Sequence, residues 1–179
     1  MSMLTQFKLF AEYNHLMNQR MLEAAGKLSE AQVTGDRGAF FKSVLGTLNH
    51  ILVGNIIWLQ RFQSHPTSRR ALDYLGSLDR PASLDTILFG DLQSLKAARE
   101  TMDNIIIDWI EGPSESALQE YLSYKNMAGS PHRKLVESLI SHIFLHQVHH
   151  RGQVTTLISQ SKVDFGETNI LEIIDDISA

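Results

Sequence analysis

The chain predicts an all-α fold: a four-helix bundle with a short hairpin-like insertion before the fourth helix and a short C-terminal helix. Three observations predict it. Four long segments repeat apolar residues every three or four positions, the period of an amphipathic helix. Turn-rich stretches containing glycine or proline separate those segments. Only one short stretch shows the two-residue alternation of a strand.

The first segment runs from about Leu4 to Lys27, with Phe7, Phe10, Leu16, Met17, Met21 and Leu22 as its core positions. The linker LSEAQVTGDRGAF follows, opening on a helical-turn cap at Ser29 and carrying Gly35 and Gly38. The second segment runs from about Phe40 to Gln63, where Val44, Leu45, Leu48, Ile51, Leu52, Ile56, Leu59 and Phe62 form the apolar stripe. His65-Pro66 ends it, because the residue before proline is pushed out of the helical region. Thr67 to Pro81 reads as a long connection, which suits a crossover better than a tight hairpin. The third helix is expected from near Ser83, with Asp85 at its positive end, to about Ile110, and Gly112-Pro113 stops it. In LQEYLSYKNMAGSPHRK, Tyr121, Ser123 and Lys125 alternate with Leu122, Tyr124 and Asn126, a short hairpin signal broken by Gly129 and Pro131. The fourth helix is expected from about His132 to Ser161, and a final short one from Asn169 to Ile177. No repeat or domain-boundary linker interrupts residues 1–179, so a single domain is expected.

Composition narrows the function. At 43% hydrophobic and 20% charged, the chain falls in the ordinary globular class, not the disordered one. A net charge of −4 argues against nucleic-acid binding, and Arg69–Arg70 is too small a patch to reverse that. There is no cysteine, which excludes disulfides, iron–sulfur clusters, thiolate zinc sites and cysteine nucleophiles; any thiol must arrive with a co-substrate. The N-terminal residues lack the pattern of a secretory signal, and no window approaches a membrane span, so a cytoplasmic protein without membrane association is expected.

The densest chemistry lies in HIFLHQVHHRGQVTTLIS, where one helix carries His142, His146, His149 and His150, four of the chain's eight histidines. Side chains at i and i+4 meet over one patch, so His146 and His150 can aim two imidazole nitrogens at one atom. Because i+3 lies on the same face, spacing leaves His149 and His150 both open as the partner of His146. Two ligands do not hold a metal firmly, and His50 is the leading third candidate. Thr47, His50, Gly54 and Ile57 share one flank of the second helix, and Gly54 leaves room there for a metal or substrate. The competing readings are a core histidine satisfied by one hydrogen bond and a solvated histidine face. Imidazole suits zinc, nickel, iron and copper.

HQVHHRGQVTTLIS resembles the signature of the DinB superfamily, which includes thiol-dependent S-transferases and takes its name from damage-inducible members. YNHLMNQRMLEAAGKLS is similar to that family's first helix, LGTLNHILVGNIIWLQRF to its second and VDFGETNILEII to its tail. The resemblance implies a DinB-type four-helix bundle, commonly a homodimer. It also implies a divalent-metal site built from His50 and an HxxxH pair, His146 and His150. Zinc or nickel is the expected metal, with iron as a third choice.

Around that site, Asn49 and Gln153 could orient the imidazoles by hydrogen bonding. His149 either stands behind the ligands or faces solvent, and His142 either lines the cleft or packs. Arg151 suits an ion pair better than a substrate carboxylate. Tyr13, Asn14 and His15 could reach the cleft or serve packing. No Walker loop, GxSxG elbow, HExxH or CxxC is present, and Gln147 stands where HExxH needs its glutamate. The expected function is a metal-dependent transferase or hydrolase acting on a small-molecule substrate, with a thiol co-substrate implied by the resemblance. The alternative is a non-catalytic, stress-related protein binding a metal or small ligand; a weaker third is a structural homodimer with histidines at its interface.

Overall fold

The computed structural model describes residues 2–68 and 70–176. Ser2 opens α1 (Met3–Ala25), its hydroxyl accepting from the Thr5 amide at 3.2 Å. The linker expected next contains a short helix, α2 (Glu30–Thr34), started by a capping box between Ser29 and Gln32. Helix α3 (Val44–Phe62) begins four residues later than Phe40, because Lys42 takes a left-handed φ of 66° and Ser43 provides the cap. It stops before His65-Pro66, as expected.

The connection from Thr67 holds a 3-10 turn (Arg70–Leu72) and α4 (Asp73–Gly76). Arg69, half of the basic pair noted in the sequence, lies outside the described residues. The largest correction concerns the third long helix: α5 (Leu92–Ile110) begins nine residues after Ser83. Ser83 and Asp85 do form local bonds, but in a turn. The Ser83 hydroxyl donates to Asp85 at 2.6 Å, and the Ser83 amide donates to Thr86 Oγ1 at 3.2 Å. These side-chain bonds offer the backbone an alternative to a helix, and the cap passes to Asp91, which accepts from the Ser94 amide at 2.8 Å.

Ser114 caps the single-turn α6 (Glu115–Leu118). Strands β1 (Tyr121–Lys125) and β2 (Pro131–Leu135) pair antiparallel, with Tyr121 opposite Leu135 and Lys125 opposite Pro131. The expected hairpin is therefore present, and β2 takes the residues from His132 that were expected to open the last long helix, α7 (Val136–Ser159). The C-terminal helix is a 3-10 turn (Ile170–Ile173); Ile177, its expected end, lies outside the described residues.

The chain is thus mostly helical with one small sheet. Helix α1 packs against α5 and α7, and α3 packs against the same two. Their apolar stripes meet in a cluster that includes Phe7, Met21, Ile51, Leu59, Trp109 and Ile140; each such side chain contributes about 1.5–3 kcal/mol on burial. The second-segment stripe is buried throughout, whereas Phe10 and Leu16 of the first segment are only half-buried. Among the described residues no helix is long and apolar enough to cross a membrane.

Candidate metal centre

The α3–α7 contact brings His50 against His146 and His150. Their three Nε2 atoms form a triangle with every edge 3.1 Å. The choice left open by spacing goes to His150, which is buried, while His149 is exposed. Helix rotation decides this, since His150 faces α3 and its neighbour points past it.

The other ring nitrogens define the protonation. His50 Nδ1 lies 2.7 Å from the Leu84 carbonyl oxygen, which can only accept, so Nδ1 carries the proton. His150 Nδ1 lies 2.8 Å from Gln153 Oε1 and donates in the same way. His50 and His150 therefore turn bare lone pairs toward one another at 3.1 Å, and only His146 can supply a proton among the three nitrogens. Burial lowers the pKa of His50 and His150. Burial, reinforced by the neighbouring histidines, lowers that of His146 to about 3. All three rings are neutral near pH 7, the form that ligates metal.

The donor set fits a cation. An equilateral triangle of that edge has its corners about 1.8 Å from its centre, so one ion can stand at the usual ~2.0–2.1 Å from all three nitrogens. These are the described residues grouped closely enough to hold an ion in this way.

Three neighbours build the site. Phe41 stacks on His50 with ring centroids 3.7 Å apart and planes 15° from parallel, and meets His150 edge-on at 5.5 Å. Sequence reasoning missed Phe41, because it precedes the helix and belongs to no periodic stripe. Gly54 makes room for a ligand ring, not for a metal or substrate: a Cβ there would stand 3.1 Å from His146 Cε1. Asn49 does not touch an imidazole. Its Oδ1 accepts from the Leu88 and Phe89 amides at 2.9 and 3.0 Å, and its Nδ2 donates to the Phe89 and Leu45 carbonyls. It thereby holds the connector that presents the Leu84 carbonyl to His50.

Gln153 bonds His150 directly and sets its Nε amide group 3.3 Å from His149 Nε2. His142 is exposed, with its ring 5.7 Å from that of His146 and 5.2 Å from that of Trp58. The other candidates bond elsewhere. Tyr13 donates to the Thr168 carbonyl at 2.6 Å, and His15 lies 3.8 Å from Asp103, whose carboxylate raises its pKa. Arg151 is buried and donates to Asn14 and Asn18 in place of the expected ion pair.

The family model described as the DinB family matches residues 3–169 of the chain. No curated protein and no solved structure matches it.

Proposed function

Since the chain belongs to the DinB family, we propose that it is a metal-dependent enzyme whose His50, His146 and His150 hold a divalent transition metal, zinc or nickel before iron. The helix contacts are read as the family's four-helix bundle. One observation carries the proposal: three neutral imidazoles converge their Nε2 atoms at 3.1 Å, and two of them have their only proton committed to the Leu84 carbonyl and the Gln153 amide oxygen. Mutually facing lone pairs are an unfavourable arrangement that a cation relieves.

When bound, a divalent metal with three neutral ligands supplies Lewis acidity toward a water or a thiol at its open positions. The chain's residues prepare that centre. Leu84 and Gln153 fix the tautomers and ring planes of His50 and His150. Phe41 covers one face of His50 and keeps water from it, and Gly54 admits the His146 ring. The thiol-dependent transferase is the preferred version and the hydrolase the next. A small-molecule substrate and a homodimer belong to the same proposal; Leu145 and Val148, exposed on α7, support the dimer.

The second reading is a stress-related protein that binds metal or a small ligand without turnover. It is favoured by the ligands' partners, a carbonyl and an amide, where a carboxylate would also serve as proton acceptor. Elemental analysis of untagged protein tests the site itself. Near-stoichiometric metal in the wild type and none in His146→Ala is expected; no uptake even after exposure to zinc, nickel and iron salts would end the metal reading. Turnover of electrophiles with low-molecular-weight thiols then separates the enzyme from the binder.

A further inference from the structure

Along α3, His50, Gly54, Trp58 and Arg61 fall within about 80° of arc, so Arg61 continues the face that carries the metal candidate. The side chains between them are in contact. Arg61 lies over the Trp58 ring at 4.4 Å, Trp58 meets His142 of α7 at 5.2 Å, and His142 meets His146 at 5.7 Å. A strip of rings thus runs along the α3–α7 contact from the three imidazoles to a cation.

Among the described residues that cation has no ion-pair partner. The Nε of Arg61 is buried without a hydrogen-bond partner among them. Its guanidinium is held over Trp58 and, at 4.8 Å, over Tyr124 of β1. Arg80 is near enough to lower its pKa further, after burial, and Lys134 adds positive charge beside His142. Neither Arg80 nor Lys134 forms an ion pair with a described residue. Concentrated, partly desolvated positive charge of this kind calls for an anion. Trp58 and Tyr124, whose ring centroids are 5.1 Å apart, flank the guanidinium on one side, and with Nε buried its Nη1–Nη2 edge is the one that matches a planar carboxylate in the two-pronged arrangement.

We propose that Arg61 binds the carboxylate of the small molecule whose reactive group faces the three imidazoles, with the body of that molecule lying along Trp58 and His142. The assignment of the reactive end rests on the metal reading above. Eleven residues of helix place the Cα atoms of His50 and Arg61 about 16 Å apart along the axis, so the substrate class is elongated carboxylates.

The test uses the full chain loaded with cobalt(II), whose visible spectrum reports the imidazole site independently. Mercaptooctanoate is compared with mercaptooctanamide. The acid is expected to bind wild type about tenfold or more tightly than the amide, the range of a charge-assisted bond. In Arg61→Gln that ratio falls to about one, while the cobalt spectrum and the amide's affinity are kept. Arg61→Lys, which retains charge and bulk but loses the fork, cuts the ratio by about threefold or more and serves if the glutamine variant does not fold. Equal binding of acid and amide to wild type, or a preference unchanged in the variants, overturns the proposal. If no cobalt is taken up, the metal reading falls and Arg61 is still tested, with octanoate against octanamide followed by Trp58 fluorescence. A preference abolished in Arg61→Gln keeps the arginine site, and its absence removes it. Displacement of octanoate by lower concentrations of inorganic phosphate would overturn the carboxylate assignment.

Discussion

His50 donates from Nδ1 to the carbonyl oxygen of Leu84 at 2.7 Å, across 34 residues of chain. That bond decides which nitrogen of His50 faces the other imidazoles, and it exists because the preceding residue, Asn49, grips the same connector at Leu88 and Phe89. One turn of α3 thus supplies a candidate ligand and the device that orients it.

Asn49→Ala is expected to loosen the connector. Four hydrogen bonds to buried or half-buried groups are lost, at a cost of about 1–3 kcal/mol in stability, and metal affinity falls about tenfold to a hundredfold through misorientation of His50. Calorimetric metal titration beside thermal unfolding checks both. Loss of stability with unchanged affinity would show that Leu84 holds its place without the clamp.

Gly54→Ala separates site geometry from helix stability. Alanine favours a helix over glycine by about 1 kcal/mol, but its Cβ would meet His146 Cε1 at 3.1 Å. The metal-free protein can turn the His146 ring aside, so its melting temperature is expected to change little. The metal-loaded form cannot, and affinity should drop by about tenfold, measured by competition with a chelator. Equal affinity in variant and wild type would mean the ring shifts without cost.

These two residues show where sequence reasoning reached and where it stopped. The pairing of His146 with a partner on α7 follows from helical period alone, but i+3 and i+4 share a face, and only the position of α3 selects His150. Asn49 is adjacent to His50, yet adjacent helical residues diverge by about 100°, so proximity in sequence suggested a contact with the ring where the structure has a clamp on a loop. Ser83 and Asp85 carry the same hydroxyl and carboxylate chemistry in a turn as in a helix cap, which is why the start of α5 was expected too early. Phe41 had no local signal, because its partner His50 stacks on it from within the following helix.

Acid is expected to destabilise the metal-free protein through the imidazole cluster. His50, His146 and His150 all have pKa values lowered on folding, His146 from 6.5 to about 3. Between the folded and unfolded values the unfolded chain binds more protons, so stability rises with pH. The contribution is complete above the unfolded value and is lost as pH falls toward the folded one. Urea midpoints measured from neutral pH downward should fall more steeply for wild type than for His146→Gln. Parallel curves would show that protonation of His146 is not linked to unfolding.

Below the imidazoles, Asp103 of α5 is the only carboxylate in a buried set that links α1, α5 and α7 among the described residues. Its Oδ1 forms an ion pair with Arg99 Nη2 at 2.8 Å, and its carboxylate accepts from Asn18 at 2.9 Å and from Asn14 at 3.3 Å, while Arg151 donates to the oxygens of both asparagines. Asp103→Asn keeps the shape and removes the charge, leaving Arg99 buried with no counter-ion, and should cost about 3–5 kcal/mol. Adding Arg99→Met should restore most of that loss, because the desolvated cation is then gone as well. Arg151 gives the network its bearing on the site. It follows His150 on α7 and is tied to α1, so it holds the rotation of α7 that turns His150 toward α3. Arg151→Met, though it touches no imidazole, should therefore weaken metal binding by about tenfold, on the scale of other orienting contacts. Full affinity in a folded Arg151→Met protein would assign the rotation of α7 to apolar packing alone.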